Sequence, residues 1–195
     1  MKTKKFFKEN YFKSWKFIKE SKNFIYIITA MFFASALISF FLPVPDYIAK
    51  EIIKILEEIM KRTEGMSQFE LIKFIFFNNL QRSFFGLVLG VFLGVFPFLF
   101  AVFNGYVLGF VSLMAVEADG SSVLLRILPH GIFELPAIFI SLGLGLRTGL
   151  LVFQNIKPKS FKYYFYELAR IFIFIVTPLL IIAAIIEGSL IFLLK

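Results

Sequence analysis

Between Phe84 and Val116 the chain runs for 33 residues without a charged side chain. As one α-helix this stretch would measure about 50 Å, well beyond the roughly 30 Å hydrocarbon core of a bilayer. It therefore has to be divided. Pro97 and the pair Asn104-Gly105 are its helix-breaking residues, so two spans joined by a tight turn are expected. A second uncharged run, Phe24 to Pro45, is 22 residues long and closes at Pro43 and Pro45. Ala34-Ser35-Ala36 lies in mid-span behind a long basic region, which suits an uncleaved helix better than a cleaved signal. Two further apolar runs cover 127–146 and 171–186. Composition agrees, with 59% hydrophobic residues, 29 Phe and a mean hydropathy of +0.84, against about 45–50% apolar in soluble domains. The expected fold is an all-α polytopic membrane protein of about five transmembrane helices, near 24–44, 84–100, 103–117, 124–150 and 169–193. These make one membrane domain, 23–195.

The chain has no cysteine, which excludes disulfides, thiolate metal sites and cysteine nucleophiles. Its net charge of +8 is unevenly spread. Residues 1–22 hold eight lysines and two glutamates, and residues 147–170 hold five basic side chains against Glu167. Residues 46–82 balance six acids against six bases, and the loop at 117–122 is acidic. Positive charge collects on the cytoplasmic side of membrane proteins. Five spans satisfy all four segments with the N-terminus cytoplasmic and the C-terminus external, in a multi-pass protein of the cell membrane. The basic charge is thereby assigned to the membrane surface, and no nucleic-acid partner is expected.

Residues 1–22 read as a basic amphipathic helix. Phe7, Tyr11, Trp15 and Ile18 fall within one arc, with Lys8, Lys16 and Lys19 opposite, a pattern suited to the headgroup layer. In 46–82, Ile52, Ile55, Leu56 and Ile59 repeat at helical spacing and a second helix starts near Ser67, which predicts an external helical hairpin. Gly86, Gly90 and Gly94 form a stripe at intervals of four, and Gly105/Gly109 and Gly145/Gly149 repeat the spacing. Such stripes let helix backbones approach closely in lipid, and they suggest a homodimer.

The stretch Arg126-Ile-Leu-Pro-His-Gly-Ile-Phe-Glu-Leu-Pro136 contains the only histidine. Ionisable groups at bilayer depth are costly and mark function by default. Pro129 and Pro136 are expected to interrupt the helix here. His130 and Glu134 are four residues apart on one face, Gly131 lets a backbone or ligand approach, and Arg126 is one turn away to neutralise Glu134. Four roles remain open: a structural lock, a divalent-metal site using His130 and Glu134 with Asn104 or a second subunit, a proton relay in a small transporter, and a hydrolase. No G-x-S-x-G, H-E-x-x-H or paired intramembrane aspartate supports the last, so a non-enzymatic protein is expected.

Asn104-Gly105 with Gly109, then Leu128-Pro-His-Gly-Ile-Phe-Glu-Leu-Pro-Ala137 and Gly143-Leu-Gly-Leu-Arg147, resemble stage II sporulation protein M and its wider group, over about residues 70–190. The P-H-G-x-x-E core, here Pro129, His130, Gly131 and Glu134, is the specific part. The resemblance implies five spans with a cytoplasmic N-terminus. Sporulation members act in forespore engulfment beside a peptidoglycan hydrolase and a second membrane-anchored partner, as a membrane scaffold, and no catalytic mechanism comes with the motif. The resulting expectation is a scaffold or membrane-remodelling protein that works in the bilayer with other membrane proteins. The alternative is a small transporter, or a metal- or proton-binding membrane protein, using the His130/Glu134 site.

Overall fold

The computed structural model describes residues 2–151 and 158–193, with the side chains of 2, 3, 125–130, 151 and 158–161 left aside. All secondary structure in the described residues is helical: α1 Lys2–Glu20, α2 Lys22–Phe41, α3 Asp46–Thr63, α4 Gln68–Val88, α5 Val95–Asp119, α6 Leu124–Leu151, α7 Pro158–Ile171 and α8 Thr177–Leu193. A π-helical segment, Phe172–Val176, joins α7 to α8. It precedes Pro178, whose missing N–H disturbs the helical ladder, and the Thr177 hydroxyl donates to the Phe172 carbonyl at 2.9 Å. Five helical segments are long and apolar enough to cross a membrane: 22–41, 68–91, 95–119, 131–150 and 162–193. Large apolar side chains such as Phe41, Phe85, Phe103 and Ile173 are exposed on their outer faces, as lipid contact requires.

The α6 helix is the spine. Its 131–150 segment is 56% buried, against 22–39% for the other four spans. The glycines explain how neighbours come so close. A methyl group at Gly90 would overlap the Gly145 carbonyl, and one at Gly149 would overlap the backbone of Gly90 and Gly94. On α5, Gly105 and Gly109 lie against the backbone of Phe32 and Ala36, and Ser39 donates to the Tyr106 carbonyl at 2.7 Å. Gly143 sits against Ile25 and Gly188 against Ile72. Dispersion across such close backbones drives association where lipid offers no hydrophobic gain. These faces are occupied within the chain, so dimerisation through them would require the α4–α6 and α2–α5 packing to open.

Three local features differ from the sequence expectation. The long uncharged run breaks at Leu89–Gly94 rather than at Pro97 or Asn104-Gly105. A 3-10 turn, Leu89–Val91, leads to left-handed backbone at Leu93 (φ 58°) and Gly94 (φ 73°), the second of which glycine adopts freely. Pro97 falls in the first turn of α5, where its missing N–H costs nothing. Asn104 donates to the Phe100 carbonyl at 2.7 Å, so the helix continues through it and Gly105 is a contact rather than a turn.

Second, α4 starts at Gln68 and runs unbroken past Arg82. The Ser67 hydroxyl accepts from the Glu70 amide while the Glu70 carboxylate accepts from the Ser67 amide, a capping box that fixes the start. The segment long enough to cross is therefore 68–91, and it takes in residues assigned from sequence to the external hairpin 46–82. Third, α6 is continuous through Pro129 and Pro136, so the expected break at the Pro-His-Gly motif is not present. Each proline removes one helical hydrogen bond, a loss a helix survives when its neighbours hold it.

The N-terminal helix docks differently from its predicted arc. Ser14, Phe17, Ile18 and Ser21 are buried, while Phe7, Tyr11 and Trp15 remain exposed. Arg147 fastens this helix: its guanidinium donates to Ser21 Oγ and stacks 4.5 Å from the Phe17 ring and 5.4 Å from the Tyr164 ring. Beside it, Arg170 and Glu167 form a buried ion pair at 2.7 Å.

Gly90→Leu should lower stability by about 3 kcal/mol, because backbone cannot move aside as a side chain can. Gly131→Ala, whose methyl would meet only the Leu135 side chain at 3.6 Å, should stay within about 1 kcal/mol of the parent. Thermal unfolding of the purified protein in one detergent checks both, and equal losses would refute the packing account.

Candidate intramembrane polar site

Asn78, Asn79 and Arg82 form a polar stripe on α4 at i, i+1 and i+4, in a helix otherwise rich in Phe, Ile and Leu. The α-helical rise sets them about 15–21 Å along from Gln68 within the 68–91 segment, and Glu134 about 5 Å from the start of the 131–150 segment. These helices pack side by side, and α8 joins them through a 3.0 Å hydrogen bond from Gln68 to Ser189. This contact places Glu187 toward the Gln68 end of α4, and polar residues of the three helices line one cavity.

They face a cavity of about 1190 Å³. Its polar wall comprises Asn78, Asn79, Arg82, Asn104, Glu134 and Glu187. Much of the remainder is apolar, with Phe32 and Phe33 from α2, Phe74 from α4, Leu108 from α5 and Ile138 from α6. The end of α3 closes one side with Glu57, Lys61 and Glu64. A second cavity of about 590 Å³ between α3 and α4 shares Asn78 and Arg82 with the first.

The electrostatics are unbalanced. The Arg82 guanidinium acts on the Glu134 carboxylate by its charge, and the Asn79 side chain shares the cavity wall with it. Glu187 feels both Glu134 and Arg82. Its Oε2 is fully sequestered and has no hydrogen-bond partner. One guanidinium thus faces two carboxylates in a region where an unpaired ion costs several kcal/mol. Such a cluster either keeps a proton or attracts a cation.

Among the residues singled out from sequence, Glu134, Gly131 and Asn104 line this cavity, while Gly105 is turned to α2. The side chains of Arg126, Pro129 and His130 lie outside the described residues, as does any metal geometry that depends on His130. Among the described residues no three His, Cys, Asp or Glu side chains come together as a metal site. Asn78, Asn79, Arg82 and Glu187 are not among the residues singled out from sequence. The signal for the first three was present, as polar residues one helical turn apart on an apolar helix.

The sequence model of stage II sporulation protein M matches residues 19–190. The chain belongs to the stage II sporulation protein M family. It is also 31% identical over 141 residues to the uncharacterized protein MJ0706 of Methanocaldococcus jannaschii, covering 69% of this chain and 62% of that protein, so it spans less than two thirds of that relative's length. No solved structure matches. Family membership and the five apolar helices make this a membrane protein of the stage II sporulation protein M family.

If the charge of Arg82 is what keeps Glu134 and Glu187 tolerable, Arg82→Leu should destabilise the protein by about 1–3 kcal/mol. Adding Glu187→Gln should recover part of that loss. Thermal unfolding of both variants tests this, and an Arg82→Leu protein as stable as the parent would exclude the pairing.

Proposed function

We propose that this member of the stage II sporulation protein M family is a carrier-type membrane protein, holding a small solute in its cavity at bilayer depth. One observation carries the reading: ten polar side chains, six of them ionisable, line a single large cavity. Polar groups in lipid are expensive and are ordinarily buried against one another, and a cavity that keeps them apart offers them to a ligand. No reacting set accompanies them among the described residues, so binding and passage fit better than chemical conversion.

The orientation that goes with this reading has the N-terminus cytoplasmic and the C-terminus external. It is supported by Arg147, which joins the lysine-rich α1 to α7 and so gathers the two basic segments at one end. The α3–α4 connection is then external, and the cavity wall formed by α3 lies toward that side.

A second reading has its own support. The docked α1 exposes Phe7, Tyr11 and Trp15 beside its lysines, a surface suited to headgroups or to another membrane protein. In this reading the chain organises membrane with partner proteins, as a homodimer or beside other membrane proteins.

A panel of small anionic, cationic and neutral solutes, tested by thermal shift on protein in nanodiscs, separates the two. Under the carrier reading at least one class, at a hundredfold excess over its Kd, stabilises the parent by about 2.7 kcal/mol, or roughly 5–10 °C for a chain of this size. The same class should leave the Arg82→Gln, Glu134→Gln double variant unmoved. A panel that shifts neither protein contradicts it.

A further inference from the structure

We infer that the cavity selects amphipathic amines, with the ammonium head at Glu134 and Glu187 and the apolar body along Phe32, Phe33 and Ile138. This rests on the carrier reading and names its substrate class.

Charge argues for a cation. The cavity wall carries Glu57, Glu64, Glu134 and Glu187 against Lys61 and Arg82, four carboxylates to two cations. By element, α3 contributes Glu57, Lys61 and Glu64, α4 contributes Arg82, α6 contributes Glu134 and α8 contributes Glu187; α2 and α5 contribute no charge among the described side chains. Deeper in, where water is scarcest, the ratio is still two carboxylates to one guanidinium. The surplus is not discharged within the protein: Glu187 Oε2 is shut away from the surface with no donor in reach. An ammonium in the cavity brings three donors for the carboxylates of Glu134 and Glu187 that line it.

Shape and lining argue for an apolar body. A bare inorganic cation would need four or more oxygen ligands, and no group of three His, Cys, Asp or Glu side chains exists among the described residues. A cavity of about 1190 Å³ is far larger than an ion and is walled chiefly by Phe, Leu, Ile and Val. Phe33 and Phe74 also place aromatic rings in the wall, and aromatic rings attract ammonium groups more than anions.

The test uses full-length protein in phosphatidylcholine nanodiscs and equilibrium dialysis of radiolabelled hexylamine, with empty nanodiscs as the blank. Saturable binding of one hexylamine per chain is expected, competed by unlabelled hexylamine but not by hexanol or hexanoate. Binding should weaken as pH falls from about 8 to about 5, because the carboxylates gain protons while the amine stays charged. Glu134→Gln with Glu187→Gln should weaken it by about tenfold or more, with the melting temperature retained as the check on folding; if that pair does not fold, Glu187→Gln alone must still weaken it. Competition by hexanol equal to hexylamine would overturn the inference, leaving a merely greasy cavity. Saturable hexanoate binding that is lost in Arg82→Gln would overturn the cation assignment and keep the carrier reading. No saturable binding of any of the three would sink the amine class, and the carrier reading would then be judged by the solute panel alone.

Discussion

An arginine facing two carboxylates within helices long and apolar enough to cross a membrane is the constraint on which the arrangement turns. Any one of these ions alone in hydrocarbon would cost several kcal/mol, and full desolvation of a pair is seldom repaid by attraction alone. Arg82, Glu134 and Glu187 are tolerable together because they share one cavity with the Asn79 amide. That cavity is the feature that distinguishes this chain from a bundle whose polar groups are simply locked against each other.

The cluster exists only because backbones approach closely elsewhere. Gly86, Gly90 and Gly94 meet Leu142, Gly145 and Leu146 of α6, drawing that helix against α4 on the side that carries Glu134. Gly188 rests on Ile72 and draws in α8 with Glu187 beside it. The small-residue contacts therefore set the distances between charges that no covalent link fixes. At the opposite end Arg147 does comparable work for α1, by stacking between Phe17 and Tyr164 rather than by ion pairing.

Length and hydropathy made the helical membrane class and the number of apolar crossings legible in the sequence, because a charge-free run can be measured against a bilayer. The residues that divide the runs were less legible. Proline and Asn-Gly are turn signals in water, yet here Pro97 sits in a first helical turn, Asn104 bonds its own helix, and Pro129 and Pro136 lie in an unbroken α6. The true break uses Leu93 and Gly94 in left-handed backbone, which a glycine stripe read for packing concealed. Charge misled in a similar way. Arg82 looked like the edge of a soluble hairpin because counting charges ended the span there, whereas the carboxylates its charge acts on lie 52 and 105 residues further along the chain, at Glu134 and Glu187. No local pattern announces such a pairing.

The cysteine-free sequence allows the cavity to be probed directly. Asn79→Cys and the lipid-facing control Phe85→Cys, each in proteoliposomes, can be treated with a charged, membrane-impermeant thiol reagent and the labelling rates compared. A wet, polar cavity reached from the aqueous side requires Asn79→Cys to react at least about tenfold faster than Phe85→Cys, since only water-exposed thiols form the reactive thiolate. Equal inertness at both positions would mean that Asn79 is sealed in a dry core, and the account of a solute-accessible site would be wrong.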